Sequence, residues 1–226
     1  MSHLTKDLFL QVVKSLFSRL FVAACVVTTL CACDGIYDDP SELPSQDETG
    51  QAFHYIDATD YRRWVYIRLA EKDTLGVAID DTASVPSQWD LALHRYDVKT
   101  HDGAALETEY VSLEAFRADV QSGAFPLPSP DAMVRDEADS VIVDMSTMMD
   151  GYITRVASLL NREMGKWLDV DLSSMPPTYT PSNRVYLLWL CDGTYAAIRF
   201  TDFANPNRYN KKGYISFDYC YPLKSE

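Results

Sequence analysis

The stretch "RVYLLWLCDGTYAAIRFTDF", residues 184–203, constrains the fold more than any other. Two runs rich in β-branched and aromatic residues flank Asp192-Gly193, a dipeptide that supplies the positive φ angles of a tight hairpin turn. A third run of the same kind, "KGYISFDYCYP" (212–222), follows. Three such runs predict an antiparallel meander over 184–222. In a meander Cys191 and Cys220 would sit on its two outer strands, roughly 9–10 Å apart across the strand between them. That spacing is too wide for a bridge, so two free, buried thiols are expected.

The rest of the chain also reads mostly as β. "YRRWVYIRLA" (61–70) and "TLGVAID" (74–80), joined by "EKD", suit a second hairpin. "WDLALHRYDVKT" (89–100) reads as one strand, with Trp89, Leu91 and Leu93 on one face and Asp90, Ala92 and His94 on the other. "DSVIVDM" (139–145) reads as a short strand. A helix is expected over 112–123, capped by Ser112, stopped by Gly123 and apolar along Leu113, Phe116 and Val120. A second is expected over 158–170, with Leu159, Leu160, Met164, Trp167 and Leu168 inward and Gly165 within it. The Pro-rich stretches 125–130 and 173–181 read as loops, the second long enough to cover a site. The expected fold is mainly β: a single antiparallel β-rich domain with a few short helices.

That domain spans residues 52–226, and what precedes it reads as a targeting region. Residues 1–32 combine Lys6, Lys14 and Arg19 with a short apolar run and small residues, the pattern of a secretory signal peptide. The run is too short to span a membrane. Leu30-Cys31-Ala32-Cys33 resembles the bacterial lipobox, which implies cleavage before Cys33 and a lipid on its thiol. Residues 33–51 are acidic, contain proline and are poor in apolar side chains, as a solvated tether is. Asp34, Asp38 and Asp39 resemble a surface-export signal, so the expected location is the outer membrane, lipid-anchored at the cell surface, with shedding as a second fate. Cleavage removes three basic residues and one acid, taking the net charge from −13 to about −15. Such a surface repels nucleic acid and anionic head groups. Contact with the membrane then runs through the lipid alone.

No G-x-S-x-G elbow, H-E-x-x-H, P-loop, dinucleotide glycine pattern or C-x-x-C pair occurs, so no common catalytic class is indicated. Acid pairs such as Asp80-Asp81, Glu107 with Glu109, and Asp169 with Asp171 fit a solvated face. His54, His94 and His101 remain after cleavage, none at helical ligand spacing. His94 fits a packed, locally bonded residue. His101, beside Asp102-Gly103, fits a turn and is also a candidate ligand. The methionines stand apart. Met145, Met148 and Met149 crowd one polar segment, and Met175 precedes Pro176-Pro177 in the second Pro-rich loop. Met fills irregular apolar gaps, and its thioether is also a soft ligand for haem iron. Two loops that each offer Met suit a flat apolar cofactor held from opposite faces, with Tyr152, Trp167, Tyr179 and Tyr209 available as lining.

Four segments carry a family resemblance: "SQWDLALHRYDVKTHDGAA", "MPPTYTPSN", "LLWLCDGTYAAIRFTDF" and "GYISFDYCYP". Together with the lipobox they resemble the HmuY-like haem-binding lipoproteins of Bacteroidetes, over about residues 50–226. The resemblance implies a mostly β, hand-like fold and a non-enzymatic haemophore role. Such a protein takes haem from host haemoproteins and passes it to a TonB-dependent outer-membrane receptor. The family's type member holds iron with histidines from two loops. This chain has no histidine after His101, and Met145 and Met175 fall at the corresponding positions. Met148, Met149 and His101 are the alternative ligands. Two other readings follow from the residues: a non-haem adhesin or interaction module whose Met loops bury against a partner, and a hydrolase with carboxylates in no recognised motif.

Overall fold

The computed structural model describes residues 51–174 and 176–223. The expected signal peptide, Cys33 and most of the tether lie outside the described residues, as does Met175. The strands are β1 (Ala52–Asp57), β2 (Arg63–Arg68), β3 (Asp73–Ala78), β4 (Leu91–His94), β5 (Asp97–Thr100), β6 (Ala104–Glu107) and β7 (Val134–Arg135). They continue with β8 (Glu137–Asp144), β9 (Thr154–Leu160), β10 (Leu168–Asp171), β11 (Thr178–Pro181), β12 (Val185–Trp189), β13 (Tyr195–Asn205) and β14 (Lys211–Cys220). A six-stranded sheet runs β1-β14-β13-β12-β6-β7, and a four-stranded sheet runs β3-β2-β4-β5. The β8-β9 and β10-β11 pairs are separate antiparallel hairpins.

Strand periodicity decides how these layers meet. On β12, Tyr186 and Leu188 face one way, and on β13 Ile198 and Phe200 do the same. They share a core with Val65 and Ile67 of β2 and Leu91 and Leu93 of β4, so the two large sheets bury one common interior. Val185 and Leu187, the alternate residues of β12, face the helix Leu113–Ser122 through Leu113, Phe116 and Val120. Both faces of β12 are covered, which is why its sequence is apolar without alternation. Each helix side chain in that contact contributes about 1.5–3 kcal/mol of burial. The Ser112 side chain accepts from the Ala115 amide, and Gly123 ends the helix at φ 79°. On the far side of the small sheet, Trp64, Tyr66, Trp89 and Ala92 pack against Val141 of β8. Lys99 is folded into that aromatic layer, with its Nζ 4.2 Å from the Trp64 ring centroid and donating to the Tyr66 hydroxyl at 3.2 Å. Burial pushes its ammonium down from 10.5 to about 8.

The meander forms as expected, with two corrections. Trp189 pairs with Tyr195, the Leu190 amide donates to the Thr194 carbonyl and the Gly193 amide donates to the Leu190 carbonyl, leaving a three-residue turn in which Gly193 alone has a positive φ, 86°. Cys191 therefore belongs to the turn and is exposed, whereas Cys220 is buried on β14; both thiols are free.

Two other segments differ from expectation. Residues 89–100 are not one strand: the chain reverses at Arg95-Tyr96, pairing His94 with Asp97 and Leu91 with Thr100. Residues 158–170 are not one helix. Ser158 to Leu160 complete the β9 ladder opposite Glu137–Asp139, which leaves Leu159 half exposed. Asn161 then caps a single helical turn, Arg162–Gly165. Its buried side chain accepts from the Met164 amide and donates to the Val134 carbonyl and the Asp136 carboxylate. Asp136 also accepts from the Thr100 amide and hydroxyl, so this knot ties β5 to the β8-β9 hairpin. Sequence periodicity over 159–168 reflected burial of Met164, Trp167 and Leu168, not a continuous helix.

Candidate functional site

Three hairpin ends converge on one cavity of about 450 Å³. The β4-β5 turn supplies His94, Arg95, Tyr96 and Asp97, with Tyr61 beside it from the link before β2. The β8-β9 hairpin supplies Ile142, Met145, Met148 and Ile153. The β10-β11 hairpin supplies Val170, Leu172, Pro177 and Tyr179. Local chemistry explains each placement. Asp144 closes the end of β8 by accepting from the Ser146 amide at 2.7 Å, which turns the chain at Met145. Thr147 and Gly151 (φ 84°) then shape a turn whose bonds run within 145–152. Asp171 accepts from the Ser173 amide at 2.8 Å and starts the second loop in the same manner.

The polar groups at this wall are mostly spoken for. His94 is fully buried, and its Nε2 donates to the Tyr61 carbonyl at 2.8 Å while Nδ1 faces the Asp97 carboxylate at 3.2 Å. A ring nitrogen that carries a proton into a carbonyl has no lone pair to offer a metal. Burial, with the Asp97 charge beside it, pushes the Tyr96 phenol up, so it stays neutral. Arg95 has φ 54° and donates from Nη1 to the Thr59 carbonyl at 3.2 Å.

The candidate ligands separate. Met145 is half buried and lines the cavity, and Met148 lines it with 41% exposure. Met149 points away, 91% exposed. Leu172 and Pro177, on either side of the Met175 position, both line the cavity. His101 does not line it. That ring stacks on Trp89 at 4.8 Å, with Nδ1 3.2 Å from the Trp89 carbonyl and 3.7 Å from Cys191 Sγ. Of the expected aromatics, Tyr179 lines the cavity, Trp167 is in the core, and Tyr152 and Tyr209 are exposed.

The sequence model of the HmuY protein family matches residues 60–219. The chain belongs to the HmuY family. A solved structure from Bacteroides vulgatus ATCC 8482, described as an HmuY-like haem-binding protein, is similar over 80% of this chain and 97% of its own, at 43% identity and a TM-score of 0.68. A structure described as a lipoprotein of Bacteroides fragilis NCTC 9343 is similar over 79% and 94%, at 42% identity and a TM-score of 0.67. Apo PinO from Porphyromonas gingivitis is similar over 75% and 96%, at 27% identity and a TM-score of 0.61. No curated protein matches the chain.

Membership in the HmuY family supports a haem-binding role, and the cavity fits that group. Its volume lies in the range of about 300–1,000 Å³ typical of cofactor and ligand sites. Its walls are mostly aliphatic and aromatic, its thioethers suit haem iron, and its polar lining is Arg95 with the mutually bonded His94 and Asp97. Sequence reasoning missed Tyr61, Arg95, Ile142, Ile153 and Leu172. Arg95-Tyr96 lacks the Asn-Gly or Asp-Gly signature of a tight turn; the available signal was the change of phase from apolar odd positions through Leu93 to apolar even positions at Tyr96 and Val98, which reading residues 89–100 as one strand passed over.

Proposed function

We propose that this chain is a surface lipoprotein that holds haem between the β8-β9 and β10-β11 loops without catalysing a reaction. In this reading Cys33 carries the lipid, haem comes from host haemoproteins, and a TonB-dependent outer-membrane receptor takes it up. Met145 and Met175 are the axial ligands, with Met148 as the alternative to Met145. The observation that supports this most is the pairing of a thioether on the wall of an apolar cavity with a histidine whose Nε2 proton is committed to a carbonyl. The Met175 loop flanks the same cavity through Leu172 and Pro177.

A neutral, soft thioether pair stabilises Fe(II) relative to Fe(III). Haem should therefore bind more tightly after reduction. The test is a titration of the lipid-free domain with haem in both redox states, followed by Met145→Ala, Met148→Ala and Met175→Ala. Loss of the six-coordinate low-spin spectrum in the Met145 and Met175 variants, and its retention in the Met148 variant, is the expected pattern. Retention in the Met145 variant with loss in the Met148 variant would move the ligand three residues along the loop. A wild-type protein without a Soret change in either state would leave the interaction-module reading, which the exposed Met149, Tyr152 and Leu172 favour.

A further inference from the structure

Arg95 is a cation in the wall of a largely apolar cavity that His94 and Asp97 also line, and no carboxylate among the described residues lies within ion-pair distance of it. The nearest acid in sequence, Asp97, faces His94 instead. The guanidinium is nonetheless held in a built position. Nη1 donates to the Thr59 carbonyl, and Cζ lies 4.6 Å from the Tyr61 ring centroid. Gly213 leaves the space that the group occupies, because a Cβ there would collide with Arg95 Nη1. Nε is buried with no acceptor. Arg63 Nε is likewise buried without an acceptor among the described residues, but Arg63 does not line this cavity.

A half-buried charge without a counter-ion is costly to the free protein. That cost is relieved when a ligand brings an anion. With Nε buried, the second Nη1 hydrogen and the Nη2 pair are the donors left in the plane, and a planar guanidinium takes a carboxylate through two parallel bonds. We propose that Arg95 is the carboxylate subsite of this cavity and that it binds a propionate of the porphyrin. The proposal rests on the haem reading above and deepens it. Axial methionines hold the iron, while Arg95 selects the acidic edge of the macrocycle and fixes which way the ring enters. The subsite does not involve iron, so it acts equally on a porphyrin without it.

The test compares haem with haem dimethyl ester, in which both carboxylates are blocked, by reduced-state titration of the wild-type domain, Arg95→Ala and Arg95→Lys. Wild type should prefer the free acid by about 10- to 100-fold, the value of a charge-assisted hydrogen-bonded pair. Arg95→Ala should lose that preference while keeping the wild-type Soret position, because iron ligation is untouched. Arg95→Lys should recover part of it, since a point charge replaces a fork. Equal binding of acid and ester by wild type overturns the proposal without any substitution, so a variant that folds poorly cannot obscure the result. An Arg95→Ala protein that keeps the full preference also overturns it. Wild type with no Soret change for haem at all overturns the haem reading itself, an outcome distinct from haem binding without acid preference.

Discussion

The meander β12-β13-β14 and the β8-β9 hairpin are both antiparallel β structure, yet they are built to opposite specifications. Nearly every residue of β12 and most of β14 are buried, between the small sheet on one side and the helix on the other. β8 and β9 are mostly exposed, and only Val141 is fully buried on β8. The meander is held by tertiary packing on both faces. The hairpin is held by its own ladder, by the Arg155 contacts with Ser140, and by the Asp136–Asn161 knot at its base. Cavity-lining methionines sit at the tip of the second kind. Elements with few buried contacts open at low free-energy cost, and a site that must admit a flat ligand between two loops draws on that freedom.

The largest expected effect breaks the meander's side of the contrast. Trp167 is fully buried, stacks on Phe200 at 4.4 Å and donates from Nε1 to the Tyr96 carbonyl at 2.9 Å. Trp167→Ala should lower unfolding free energy by about 3–5 kcal/mol in a denaturant titration. A loss under about 1 kcal/mol would mean that the shared core of the two sheets is far looser than its packing. The same change frees Tyr96, a wall of the cavity, so scaffold and site should weaken together.

Lys99 tests the junction between the regions, beneath the root of the hairpin. Its folded pKa lies near 8, below the ordinary 10.5. From about pH 8 to 10.5 the unfolded chain therefore binds the proton that the folded chain has released, and stability rises with pH. Relative to Lys99→Met, which removes the titration, the wild type should gain about 2 kcal/mol between about pH 7 and 9.5. A pH-independent difference between the two proteins would show that the Trp64 and Tyr66 rings offset the desolvation of the ammonium.

The smallest effect sharpens the hairpin's side. Met149 is 91% exposed and outside the cavity. Met149→Ser should change stability by less than about 0.5 kcal/mol and leave the haem titration as in wild type. Weakened haem binding in that variant would shift the ligand assignment from Met145 to Met149.

Much of the scaffold was legible because its signals are local or periodic. Asp192-Gly193, the Ser112 and Gly123 caps, and the apolar runs of β12 and β14 each state a conformation or a burial within a few residues. The β4-β5 reversal was written only as a change of phase, from apolar odd positions through Leu93 to apolar even positions at Tyr96 and Val98, and Arg95 is an ordinary residue in an uncommon conformation, with no turn residue to mark it. The false helix over 158–170 shows the reverse failure. Met164, Trp167 and Leu168 have a helix-like spacing, but the β8 ladder claims Leu159 and Leu160, and Asn161 satisfies three partners that no periodicity encodes.

The sequence by itself determined that the chain is mainly β, that its last strands form a meander, and that thioethers rather than histidines stand in its two loops. Only the tertiary structure decided which of those groups meet. It placed Met145 and Met148 on a common cavity and turned Met149 outward. It committed the Nε2 proton of His94 to the Tyr61 carbonyl, 33 residues away, sent His101 to a stack on Trp89, and brought in Arg95 by a reversal no motif announced. The physical reason is that side-chain type is a property of one residue, whereas a lone pair left free or a charge left unpaired depends on every group that packs around it.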